Sequence, residues 1–169
     1  MSRKTKFSGL ILYWKTYGQW AAILRSPYFH RAFFPWILLF PLWLFPFEGP
    51  FVWVGIALSV LPAMLSFSLA ALAILLSMPT GEFFQVVTDD SDGPSFYLEV
   101  AASFTHFIIV QIWALLTVLL ALAYPYPGTS ALGFFSLCYA FACGIAAVST
   151  LMSYGRLRNE SSDLENPND

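Results

Sequence analysis

Between Arg31 and Arg156 the chain contains no lysine and no arginine. Arg3, Lys4, Lys6, Lys15, Arg25 and Arg31 precede that gap, and Arg156 and Arg158 follow it. A water-soluble domain built from the middle of this chain would have no cations on its surface, which excludes an ordinary soluble fold. Charge of either sign is scarce, at 11% of residues, where soluble proteins carry roughly a quarter. Polytopic membrane proteins with both ends in the cytoplasm concentrate Lys and Arg at those ends, and this distribution matches them.

Other absences narrow the function. The sequence has no Gly-rich phosphate loop, no serine-centred nucleophile elbow and no zinc-protease helix. No Asp, Glu, Lys or Arg stands in the middle of an apolar run expected to span a membrane, which argues against a proton- or sodium-coupled carrier. The two cysteines, Cys138 and Cys143, are five positions apart, about 140° around a helix, so a disulfide within one helix is not expected. They read as small packing residues. His30 and His106 are the only histidines and no carboxylate accompanies them in an apolar run, so neither a metal nor another cofactor is expected. The basic start of the chain resembles the head of a signal peptide. Lys15, Gln19 and Arg25 interrupt the apolar stretch after it, and an uncleaved N-terminus is expected.

What remains is 169 residues, 58% hydrophobic and 18% aromatic, enough for one small membrane domain. The fold class expected is an all-α integral membrane protein with four transmembrane helices, both termini inside, and an N-terminal amphipathic helix at the interface. Residues 1–31 form the basic cytoplasmic or interfacial segment, in which Tyr13, Trp14, Tyr17 and Trp20 suit the headgroup region. Residues 32–155 form the transmembrane domain, with spans at about 32–47, 51–78, 101–123 and 130–154. The first is short and holds Pro35, Pro41 and Pro46, so it is bent or extends backward through Tyr28 and Phe29. Residues 79–100 form an acidic cytoplasmic loop, and 156–169 an acidic tail without apolar periodicity, expected to be disordered in isolation.

Three groups of residues stand out. Ser66 with Ala70, and Ser136, Ala140 and Gly144, are small residues at four-residue spacing, the pattern that lets helices approach closely in lipid, and the stripe on the fourth span is expected to build an oligomer. His106 and Gln111 are the polar side chains expected inside the third span. An interhelical hydrogen bond, to Ser66, Ser68 or Ser149, is the plain reading for His106. His106 and Gln111 lie about 140° apart and form no common ligand face. Glu82, Asp89, Asp90 and Asp92 share a loop with no cation. Their spacing does not fit a calcium loop, but they suit the docking of a basic cytoplasmic partner.

The run from Ser66 through Pro79, followed by Glu82-Phe83-Phe84, resembles the second span and following loop of small four-span bacterial inner-membrane proteins of prophage and phage-defence loci. The nearest named example is the membrane subunit of the Kiwa anti-phage system. The resemblance extends from Ser66 to about Trp113 and consists of apolar and small residues. It implies an inner-membrane sensor that oligomerises and governs a cytoplasmic effector in antiviral defence, and it supplies no catalytic residues.

The function expected is therefore a non-enzymatic sensor or anchor in the cell inner membrane. Its partners are the bilayer, other copies of itself and a cytoplasmic effector protein, with no direct nucleic-acid binding. The alternative is an effector that permeabilises the membrane through a pore lined by Ser103, His106 and Thr117. A membrane enzyme is distant, because acid, base and metal groups are not paired.

Overall fold

The computed structural model describes residues 13–14, 23–45, 52–77 and 96–165, and among these every element is helical. The first begins where sequence chemistry is strongest. Ser26 is extended, with ψ 130°, and its Oγ accepts from Tyr28 N at 3.3 Å, while Pro27 takes the first helical position. Proline has no N–H to leave unsatisfied there. Helix α1 (Pro27–Leu38) runs 12 residues and α2 (Phe40–Leu44) follows after a break at Leu39. Pro35 and Pro41 both withhold backbone donors from this stretch, which is why it does not continue as one helix. Two indoles brace the break. Trp43 Nε1 donates to Trp36 O at 2.9 Å, and the two rings stack 4.8 Å apart at 10°.

The expected first span at 32–47 is thus displaced and divided. Helix begins five residues earlier and is interrupted at Leu39, and residues 46 and 47 lie outside the described residues. At 1.5 Å per residue α1 is about 18 Å long, short of a hydrocarbon core of about 30 Å.

Three helices are long and apolar enough to cross a membrane. Helix α3 (Val52–Ser77) has 26 residues, α4 (Phe96–Ala123) has 28 and α5 (Pro127–Glu165) has 39. The α4–α5 connection is short and closed by its own side chain. The Thr129 hydroxyl reaches the carbonyls of Tyr124 and Tyr126, and Tyr126 N donates back to Thr129 Oγ1 at 3.3 Å. With Pro127 in the first turn, this fixes the start of α5.

Helix α5 is the axis of the bundle. It packs against α1, α2 and α4, and α3 lies against α4. Val100, Phe104, Phe107, Val110, Ala114, Val118 and Ala121 of α4 are buried, three or four residues apart, and so form the core stripe. Half of the apolar window of α4 is buried but only 17% of that of α3, whose Ile56, Phe67, Leu69 and Ile74 face outward. Outward apolar side chains on every helix suit a hydrocarbon solvent. The last part of α5 departs from expectation. Its backbone stays helical to Glu165, beyond the expected end at 154 and into the segment expected to be disordered. No proline follows until Pro167, and extending an established helix through Arg, Leu and Glu is cheap.

Candidate functional site

Aromatic packing fixes one end of the site. Phe29 of α1 meets Phe135 and Tyr139 of α5 edge-on, each at 5.5 Å between ring centroids, and Trp36 Nε1 donates to Ala131 O at 2.9 Å. Tyr139 is thereby held with its hydroxyl toward α4, where His106 is 5% exposed. His106 Nε2 lies 3.1 Å from Tyr139 Oη, and Nδ1 lies 2.7 Å from Tyr13 Oη. In a neutral imidazole one nitrogen donates and the other accepts, so one tyrosine receives a proton and the other gives one. The Tyr139 hydroxyl also reaches the Cys143 thiol, one turn further along α5. His106 therefore ties the N-terminal segment, α4 and α5 together through hydrogen bonds whose loss would strand buried polar atoms.

Gln111 faces the other way. Its Nε2 donates to Ser68 Oγ on α3 at 3.0 Å, and Ser68 Oγ donates in turn to Met64 O at 2.7 Å. Gln111 Oε1 is buried without a partner. The separation of about 140° read from the sequence thus corresponds to two neighbours, α5 for His106 and α3 for Gln111. Three serines are the expected partners of His106, but Tyr13 and Tyr139 take that place and Ser68 bonds Gln111. Ser66 Oγ and Ser149 Oγ instead donate to carbonyls of their own helices.

The two small-residue groups have different environments. Ser136 and Ala140 are buried, and a β-carbon at Gly144 would sit 3.1 Å from Phe107 Cζ, so this stripe serves packing within one chain. Ser66 and Ala70 lie on the exposed face of α3 and touch no helix of the described chain closely enough to be buried. Glu82, Asp89, Asp90 and Asp92 lie outside the described residues.

Two grooves flank His106. One, of about 540 Å³, is lined by Ser26, Ser103, Cys143, Thr150 and neighbouring residues. The other, of about 740 Å³, is lined mainly by aromatic and aliphatic side chains including Phe29, Trp113 and Phe135. Both cysteines are free and buried. Among the described residues no three of His, Cys, Asp and Glu lie together as a metal site would require.

Sequence reasoning missed Tyr13 and Tyr139 as partners of His106. The available signal was a tyrosine within an apolar helix, since a buried phenol needs a hydrogen-bond partner. It also missed Gly133, where a β-carbon would lie 2.7 Å from Trp53 Cη2 and 3.1 Å from Thr117 O. No family model, no curated protein and no solved structure matches this chain.

Proposed function

We propose that this chain is a non-enzymatic membrane anchor or sensor subunit that crosses the bacterial inner membrane four times and presents a cytoplasmic docking surface. The observation that carries this reading is the continuity of α5. One unbroken helix of 39 residues, about 58 Å, runs from the apolar bundle into a segment holding Arg156, Arg158, Glu160, Asp163 and Glu165. Such a helix is long enough to cross the bilayer and still project well beyond it. A soluble partner held by that extension would be rigidly coupled to the membrane bundle.

Three further points support the reading. The cations cluster at the two ends of the chain, which favours both termini in the cytoplasm. Pro27–Leu44 comprises two helices in close succession, about 27 Å if they lie along one line, and serves as the fourth crossing. The exposed Ser66 and Ala70 give α3 a smooth face on which another copy can pack. The resemblance of the region from Ser66 to about Trp113 to phage-defence membrane subunits makes a cytoplasmic defence effector the first partner to seek.

The pore alternative is weaker. His106 and Thr117 lie on the face of α4 that meets α5 within one chain, and the Thr117 hydroxyl already bonds Ala114 O at 2.9 Å. Affinity capture with the full chain, beside a version ending before Arg156, tests the proposal. Capture of a soluble partner by the full chain alone is the expected result. Ion flux through liposomes containing the purified protein, with no partner captured, would favour the pore.

A further inference from the structure

The two grooves beside His106 are consecutive parts of one seam between α4 and α5, on the side where α1 packs. Along α5 the seam runs from Thr150 in the first groove to Leu132 in the second, 18 positions or about 27 Å. That exceeds the depth of one leaflet with its headgroups, about 20 Å. The two halves differ in chemistry. The second is aromatic and aliphatic, with Phe29, Val110, Trp113, Leu132 and Phe135 on its walls. The first has hydroxyls on its rim and the short side chains Cys143, Ala146 and Ala147 at its base.

Four of those hydroxyls are polarised in one sense, while Ser26 Oγ accepts from Tyr28 N. Ser103 Oγ donates to Glu99 O, Ser149 Oγ to Ile145 O, Thr150 Oγ1 to Ala146 O and Ser153 Oγ to Ser149 O, at 2.9 to 3.1 Å. Each proton is committed to the residue's own helix, so each oxygen offers only lone pairs to the groove. A rim of acceptors favours a ligand rich in donors. A primary ammonium has three N–H donors and a trimethylated ammonium has none. The Arg31 guanidinium carbon lies 5.9 Å from the centroid of the Tyr28 ring, so Arg31, which does not itself line this groove, stands next to a residue that does. It supplies a positive charge suited to phosphate.

We propose that this seam is a binding site for a glycerophospholipid with a primary-amine headgroup, its ammonium against the Ser103, Ser149 and Thr150 oxygens, its phosphate toward Arg31 and an acyl chain along the aromatic groove. His106 lines both halves, and its partners Tyr13 and Tyr139 line the second, so lipid occupancy bears directly on the element that joins the N-terminal segment to the bundle.

The full chain, reconstituted in vesicles with equal parts of phosphatidylethanolamine, phosphatidylcholine and phosphatidylglycerol of matched acyl chains, is extracted in mild detergent. Native mass spectrometry then identifies the lipid retained. Phosphatidylethanolamine is expected over phosphatidylcholine by about tenfold, the scale of one hydrogen bond to a charged group. The combined Ser103→Ala, Ser149→Ala and Thr150→Val variant loses that preference at unchanged helicity, whereas Thr150→Ser keeps it. Equal retention of the ethanolamine and choline lipids, a preference for phosphatidylglycerol, or an undiminished preference in the folded triple variant would overturn the proposal. The headgroup comparison uses the unaltered chain, so it decides the matter even if the triple variant does not fold.

Discussion

Trp53 of α3 lies across Gly133 of α5, so close that a β-carbon on Gly133 would stand 2.7 Å from the indole Cη2. The same indole donates to Ser130 Oγ at 3.0 Å and meets Phe134 edge-on at 5.4 Å. One ring thus holds the start of α3 against the start of α5, and Thr117 O of α4 closes the other side of Gly133 at 3.1 Å.

Gly133→Ala should therefore destabilise the bundle by about 1–3 kcal/mol, the usual cost of overpacking a filled interior. Gly128→Ala is the control, since a β-carbon there meets nothing within 4 Å. Thermal unfolding of both variants in one detergent checks the difference, and equal midpoints would show that Trp53 yields easily.

The two polar groups of α4 should respond in opposite ways. His106→Phe leaves the Tyr13 and Tyr139 hydroxyls short of a partner and is expected to cost about 1–3 kcal/mol. Gln111→Met removes an amide whose Oε1 already lacks a partner, and Ser68 keeps its bond to Met64 O. That change is expected to leave stability unchanged or to raise it. Unfolding midpoints of the two variants decide it, and a loss in Gln111→Met as large as that in His106→Phe would contradict the assignment.

Small residues at four-residue spacing signal close helix approach, but not which helix approaches. Ala140→Leu and Gly144→Leu should reduce folded protein, because these positions pack against α4 within the chain. Ser66→Leu with Ala70→Leu should leave folding intact and weaken self-association, because both positions are exposed on α3. Cross-linking in membranes beside a measure of folded protein separates the two effects.

That ambiguity marks the limit of what was legible in this chain. Helices α3, α4 and α5 follow from their apolar runs, because a segment that long and that free of charge has few other folds open to it. The break at Leu39 does not follow in the same way. Three prolines occupy the region, and where the helix stops depends on bracing by Trp36 and Trp43, seven residues apart. The polar extension of α5 has no apolar periodicity to announce it and rests on propensity alone. The partners of His106 stand 93 and 33 residues away, a pairing that only tertiary packing reveals.

The acidic loop supplies a further test of docking. Changing Asp89, Asp90 and Asp92 together to Asn should weaken capture of a basic cytoplasmic partner, and moderate salt should weaken capture by the unaltered chain. Insertion and self-association should be unaffected. Full recovery of partner by the variant would assign docking to the α5 extension alone.

Four crossings, with both termini and the acidic loop on the cytoplasmic side, underlie every docking prediction above, and topology reporters fused at Gly49, Asp92, Gly128 and Asp169 test that arrangement. Cytoplasmic signals are expected at Asp92 and Asp169 and external signals at Gly49 and Gly128, with the broken pair α1–α2 as the first crossing. A cytoplasmic signal at Gly49 with Asp92 external would contradict it, reducing the chain to three crossings and placing its two termini on opposite sides.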